Sequence, residues 1–159
     1  MSKDKHFMAL ENMYLAAPIN DFYKPRIDVS EGQSEIEIEL NENYYHAAGA
    51  VHGSVYFKML DDSAFFAANS LEIEVFVLTT SFTIYLTRPV SSGIMRAVGK
   101  VVNSTESQFT AKSVGYNSEG KEIARGSGIF VRSKFKLAEA LGYKAFEKRG
   151  PGLPLTHLR

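Results

Sequence analysis

Between residues 46 and 62 the sequence gathers its densest set of chemically competent groups: His46, His52, Gly53, Ser54, Lys58, Asp61 and Asp62. A carboxylate on an otherwise apolar helix can act as a general base or as a nucleophile. A backbone N–H at a helix start, such as that of Gly53, can stabilise an oxyanion with help from the helix dipole. Gly53 and Asp61 are eight residues apart, so on one helix their backbones are separated by ~12 Å. A base and an oxyanion donor must both come within ~3 Å of one reacting carbonyl or its water. One helix does not satisfy both demands. Two antiparallel copies across a two-fold axis do, which predicts a homodimer with two shared sites if both residues act.

Each of these residues also has a plainer reading. Lys58 and Asp62 are spaced as a solvated i, i+4 pair worth a few tenths of a kcal/mol. His52 fits a buried, hydrogen-bonded histidine near the helix start, and Gly53 fits the relief of a tight turn. Thr79 and Thr80 are ordinary strand residues by type, and Arg88, Lys100, Arg125 and Arg132 are ordinary surface charge.

The elements that must hold these groups follow from periodicity. Phe7, Leu10 and Tyr14 make an amphipathic stripe over 6–16, ending before Pro18. Residues 20–32 read as irregular. Residues 34–40 alternate strictly, with Ile36, Ile38 and Leu40 on one face and Glu35, Glu37 and Glu39 on the other, which predicts a half-buried strand. Residues 53–71 are apolar nearly all round and carry only Lys58, Asp61 and Asp62 as charges, as expected of a helix buried on most sides. Four strand-like runs follow, 76–86, 94–102, 109–116 and 123–131, separated by turn chemistry, with Asn117 to Gly120 as a hairpin signal. Residues 134–148 read as a terminal helix and 150–154 as a loose tail. The order is strand, apolar helix, then strands, which predicts an α+β domain: a curved antiparallel sheet of five to six strands wrapped around one long central helix. The expected division is a single domain over 1–159, with 1–32 as N-terminal helix and irregular lead-in, 34–132 as core, and 133–159 as C-terminal helix and tail.

Composition narrows the function classes. Lys plus Arg and Asp plus Glu both number 18, so no bulk attraction draws the chain to nucleic acid or an anionic membrane. No cysteine is present, which removes disulfide frameworks, thiolate metal sites and cysteine nucleophiles. The histidines show no metal-ligand spacing with a supporting carboxylate pair, so no metal and no cofactor are expected. No run approaches the ~20 apolar residues of a membrane span, and the N-terminus is a poor signal peptide. The expectation is a cytoplasmic protein with neither nucleic-acid nor membrane partner.

The stretch from His46 to Asp62 resembles the signature of hot-dog-fold acyl-CoA thioesterases of the phenylacetic-acid-degradation type: an Asn, five residues, His-Gly-Gly, and an Asp nine positions after the His. Counted from His52, the family's Gly falls on Gly53 and its catalytic acid on Asp61. The resemblance extends over about residues 34–132, through Thr79 to Pro89 and Gly120 to Gly128. Ser54 replaces the second Gly, and His46 stands where the family has its Asn, adding a residue type that titrates near neutrality.

The resemblance implies an acyl-CoA thioester hydrolase, with coenzyme A present only as part of the substrate. In it Asp61 is base or nucleophile, Gly53 the oxyanion donor, His46 a contact to thioester or water, and Thr79 the holder of the attacking water. His52, Ser54, Thr80 and Arg88 fall at substrate-binding positions. It further implies a homodimer with composite sites, usually paired into a homotetramer. Two rivals remain at this stage: a non-catalytic acyl-CoA sensor on the same fold, and a hydratase or dehydratase of the same superfamily, whose motif is not found. Phe57, Phe65, Phe66 and Tyr56 are candidates to line an acyl pocket.

Overall fold

A computed structural model describes residues 1–146. Helix α1 (Lys3–Ala16) begins three residues earlier than the stripe predicts, because the Ser2 side chain accepts the Lys5 N–H and caps the added turn. The segment expected to be irregular holds a one-turn helix α2 (Asn20–Tyr23) and a strand β1 (Arg26–Ser30). Then come β2 (Gln33–Glu39), a 3-10 turn at Glu42–Tyr44, and the central helix α3 (Gly53–Asn69). Strands β3 (Val75–Leu86), β4 (Ile94–Ser104), β5 (Gln108–Tyr116) and β6 (Glu122–Lys136) complete a six-stranded antiparallel sheet in the order β1-β2-β4-β5-β6-β3. This is the hot-dog fold.

One C-terminal expectation is corrected. Residues 134–136 continue β6, where Lys136 pairs with Val75, and only a 3-10 turn at Leu137–Glu139 follows. The remainder of the expected helix and the tail at 150–154 lie partly or wholly outside the described residues. β6 stays a strand because its partner β3 runs beside it as far as Val75, opposite Lys136, and Glu74 O just before β3 accepts the Leu137 N–H.

The sheet wraps α3 because its inner face is apolar and, at one position, lacks a side chain. Ile36, Ile38, Met95 and Ala97 on β2 and β4 pack against Val55, Met59 and Leu60 of the helix. A Cβ on Gly99 of β4 would lie 2.1 Å from Ser63 O, so glycine there lets strand and helix backbones touch. Buried serines then bond the sheet to the helix: Ser34 Oγ donates to Ser63 O at 2.6 Å and Ser113 Oγ to Leu60 O at 2.8 Å. These bonds fix the height of α3 along the sheet and so the heights of Gly53 and Asp61.

The two sheet edges differ. At β1, buried Glu11 of α1 accepts the Val29 N–H at 2.7 Å, so the helix covers that edge. At β3 the strand ends the sheet and exposes Leu78, Tyr85 and Leu86. A long uncovered edge with apolar side chains is a template for strand pairing.

Candidate functional site

Asp61 projects from the middle of α3 into a cavity of about 320 Å³ between that helix, α1 and β3. Thr79 Oγ1 on β3 donates to Asp61 Oδ1 at 2.8 Å. The remaining walls are largely apolar, with Met13 and Ile19 on one side and Phe65, Phe76 and Leu78 on the other. Burial among these side chains pushes the Asp61 carboxyl up from 3.8 to about 6; the Thr79 hydrogen bond opposes the rise, the Asp62 charge adds to it, and Lys58 opposes it. A carboxylate poised close to neutrality is matched to base or nucleophile work.

The other end of α3 presents a donor. His52 is the N-cap residue, with φ −63° and ψ 144°, and its Nδ1 accepts the Ser54 N–H at 3.0 Å. The Val55 N–H goes to His52 O at 3.0 Å. These two bonds leave the Gly53 N–H, at the positive end of the helix, with no acceptor among the described residues. His52 is exposed, not buried, and its role is to cap the helix. Gly53 does not have a positive φ, so no tight turn requires it. A Cβ there would come 3.3 Å from Leu86 Cδ1, so the glycine leaves the N–H approachable beside the end of β3.

Gly53 and Asp61 lie on one continuous helix, and β3 runs beside it with Leu86 at the Gly53 end and Thr79 at the Asp61 end. Within one chain the two groups therefore stay about 12 Å apart along the axis.

Asp62 departs from the solvated-pair reading. It accepts from Lys58 Nζ at 2.5 Å and from Tyr14 Oη at 2.5 Å, and its side chain is only 20% exposed. Tyr14 is the site residue that sequence reasoning missed. Its position in the α1 stripe marked a core face, and only the docking of α1 against α3 shows where its hydroxyl ends.

His46 sits on an exposed turn in which its Nδ1 accepts the Ala48 N–H at 3.0 Å and its own N–H reaches Ala50 O. Thr80, at a register shift in β3, donates to Ile129 O at 3.2 Å. Arg88 is exposed just past β3, and among the described residues no carboxylate lies within ion-pair distance of it. Arg125 is paired with Glu122, and Arg132 with Glu72 and the Phe109 ring, so neither is a loose cation. Phe65 and Phe66 line the Asp61 cavity as expected. Tyr56 instead donates to Arg88 O in the core, and Phe57 packs on Phe82 at the surface. Among the described residues no three His, Asp or Glu side chains come together as a metal site, and no helix is long and apolar enough to cross a membrane.

Comparison with known proteins agrees with the fold. The family described as "Thioesterase superfamily" matches residues 48–124, which span α3 and end early in β6. A Sulfurisphaera tokodaii protein named "Putative esterase" is 21% identical over 102 residues, covering 64% of this chain and 76% of that one. Among solved structures, the E. coli PaaI protein from the phenylacetic acid degradation operon superposes with a TM-score of 0.74 at 19% identity, covering 82% of this chain and 97% of that chain. A thioesterase from Haemophilus influenzae gives a TM-score of 0.68 at 16% identity, covering 76% of this chain and 85% of that chain. The hot-dog fold expected from the resemblance is thereby borne out, and the stretch matched by the thioesterase-superfamily model contains His52, Gly53 and Asp61.

Proposed function

Taking as premise a hot-dog fold whose central helix falls within a thioesterase-superfamily match, we propose that this chain is a hydrolase that cleaves acyl-CoA thioesters. The observation that carries the reading is Asp61: a carboxyl with a pKa of about 6, oriented by Thr79, at the wall of an apolar cavity. The ionised carboxylate removes a proton from water held by Thr79, or attacks the thioester carbon itself. Electron density moves onto the carbonyl oxygen, and the Gly53 N–H at the helix terminus stabilises that charge. In the first route the hydroxide adds to the carbonyl carbon, and collapse of the tetrahedral intermediate leaves the acid and expels the CoA thiolate, which takes the proton from Asp61. In the second, collapse leaves an acyl anhydride on Asp61 that water hydrolyses to the acid and the free carboxylate. Coenzyme A enters only as part of the substrate, and exposed Arg88 is the residue proposed to meet its phosphates.

The site is shared between two chains. Gly53 is next to Leu86, at the end of the open edge strand, and Asp61 is next to Thr79, seven residues back along it. Antiparallel pairing of two β3 strands about a point between Phe82 and Thr83 sets Leu86 opposite Thr79 of the partner subunit. That operation brings the Gly53 N–H of one chain toward the partner's Asp61, which a single α3 cannot do. The exposed apolar residues Leu78, Tyr85 and Leu86 on that edge support the pairing. Two such dimers would make the expected tetramer.

The test is hydrolysis across a panel of aromatic and aliphatic acyl-CoAs, with released CoA read by a thiol reagent. The chain has no cysteine, so it adds no background. Turnover that disappears in Asp61→Asn supports the reading. Full turnover in that variant, or no turnover of any acyl-CoA by the wild type, contradicts it.

A further inference from the structure

Two adjacent carboxylates on α3 have opposite surroundings. Asp61 has one neutral donor, Thr79, and an apolar cavity. Asp62 is held from two sides: Tyr14 Oη and Lys58 Nζ both donate to its Oδ2 at 2.5 Å. Lys58 also donates to Tyr14 Oη at 3.3 Å, which closes a triangle, and its ammonium lies 5.0 Å and 4.9 Å from the ring centres of Tyr14 and Tyr23. Only 12% of the Lys58 side chain is exposed. A surface ion pair of ordinary kind needs none of this enclosure. Burial first, then the Asp62 charge, hold the Tyr14 hydroxyl protonated well above the usual tyrosine range, so it is a permanent donor. Tyr14, Lys58 and Asp62 line the same cavity as Asp61. Tyr14 also lies outside residues 48–124, so it is no part of the matched family pattern.

We propose that Lys58, Asp62 and Tyr14 act as one positioning unit for Asp61, setting the charge around its carboxyl and tying the N-terminal helix to the reacting cavity. The functional meaning of the unit rests on Asp61 being the reacting carboxylate; its electrostatic action on Asp61 does not. The groups that face Asp61 among the described residues are Lys58 and Asp62 from α3, Tyr14 from α1, Tyr23 behind Lys58 at the end of α2, and the Thr79 hydroxyl from β3. The Asp62 charge opposes ionisation of Asp61, and the Lys58 charge favours it. Tyr14 holds these two opposed charges in one place beside the carboxyl.

The experiment is carbon-13 NMR of protein labelled at aspartate carboxyls, with the Asp61 signal identified by its loss in Asp61→Asn. Asp62→Asn is expected to lower the Asp61 titration midpoint and Lys58→Met to raise it, each by roughly half to one pH unit. Tyr14→Phe, which returns more of the negative charge to Asp62, raises it by less. The rising limb of kcat/KM against pH moves in the same directions. A merely structural role would give no such opposed pair of shifts. An Asp61 midpoint that stays fixed in both charge variants, or moves the same way in both, overturns the proposal. Opposed shifts in a protein that hydrolyses no acyl-CoA would uphold the unit and sink the functional reading.

Discussion

Asp61→Asn separates stability from function, and its size can be worked out from the site. Folding raises the Asp61 carboxyl from 3.8 to about 6, so the native state binds this proton more tightly than the unfolded chain does. Stability therefore falls as pH rises from about 4 to about 6, and the loss is complete above neutrality. Roughly two pH units correspond to about 3 kcal/mol. The carboxyl is partly open to solvent, and screening reduces the figure to about 1–2 kcal/mol. Asparagine keeps the volume and still accepts from Thr79 Oγ1, but it carries no charge to desolvate. The variant is thus expected to be about 1–2 kcal/mol more stable than wild type at pH 8, and the advantage should shrink to a few tenths at pH 4. The assay is urea unfolding at matched protein concentration across that pH range, with hydrolysis measured in parallel. The same substitution should lower turnover roughly 10²-fold or more. An Asp61→Asn protein less stable than wild type at pH 8, or a difference independent of pH, would refute this account of the carboxyl.

Other expectations follow from the same geometry. The wild-type pH–rate profile should rise with an inflection near pH 6 as Asp61 ionises, and His46→Asn should leave that inflection in place, because His46 is engaged by Ala48 on an exposed turn. Thr79→Val removes the donor that favours the ionised carboxylate, so the inflection should move upward and turnover fall about 10-fold or more, readable in a kcat/KM profile. Gly99→Ala would set a methyl 2.1 Å from Ser63 O, and thermal unfolding should show a loss of about 3 kcal/mol or more, or no soluble protein.

Much of the fold is written in local periodicity. The alternation from Ile36 to Leu40, the all-round apolar run after Gly53 and the four later β-rich runs each fall on an element of the matching type. What escaped depends on distant partners. β1 offers only Ile27 and Val29 as alternating apolar residues, and its identity comes from pairing with β2 and from Glu11 of α1. Residues 134–136 read as the start of a terminal helix until β3 is seen to pair with β6 as far as Val75 and Lys136. At the site, the spacing from Gly53 to Asp61 marks two positions on one helix, and the resemblance adds Thr79. The Tyr14–Asp62–Lys58 triangle is invisible in sequence because it forms only when α1 packs across α3. The exposure of His52 and its capping bond to Ser54 are set by backbone angles that composition does not carry.

The central claim is that one chain supplies the Gly53 N–H and its partner the Asp61 carboxylate of each thioesterase site, and hybrid dimers test it most directly. Gly53→Pro deletes the N–H at the first helical position, where proline is tolerated, and the extended backbone of His52 suits a residue before proline. Each of Gly53→Pro and Asp61→Asn should be nearly inactive alone. Subunits of the two, one isotope-labelled, are unfolded, mixed in equal amounts and refolded, and native mass spectrometry confirms that hybrids form. Half the dimers are then hybrids, and each hybrid has one intact site of two, so the mixture should recover about a quarter of wild-type turnover. Hybrids present in that proportion with no recovered turnover would contradict the shared site.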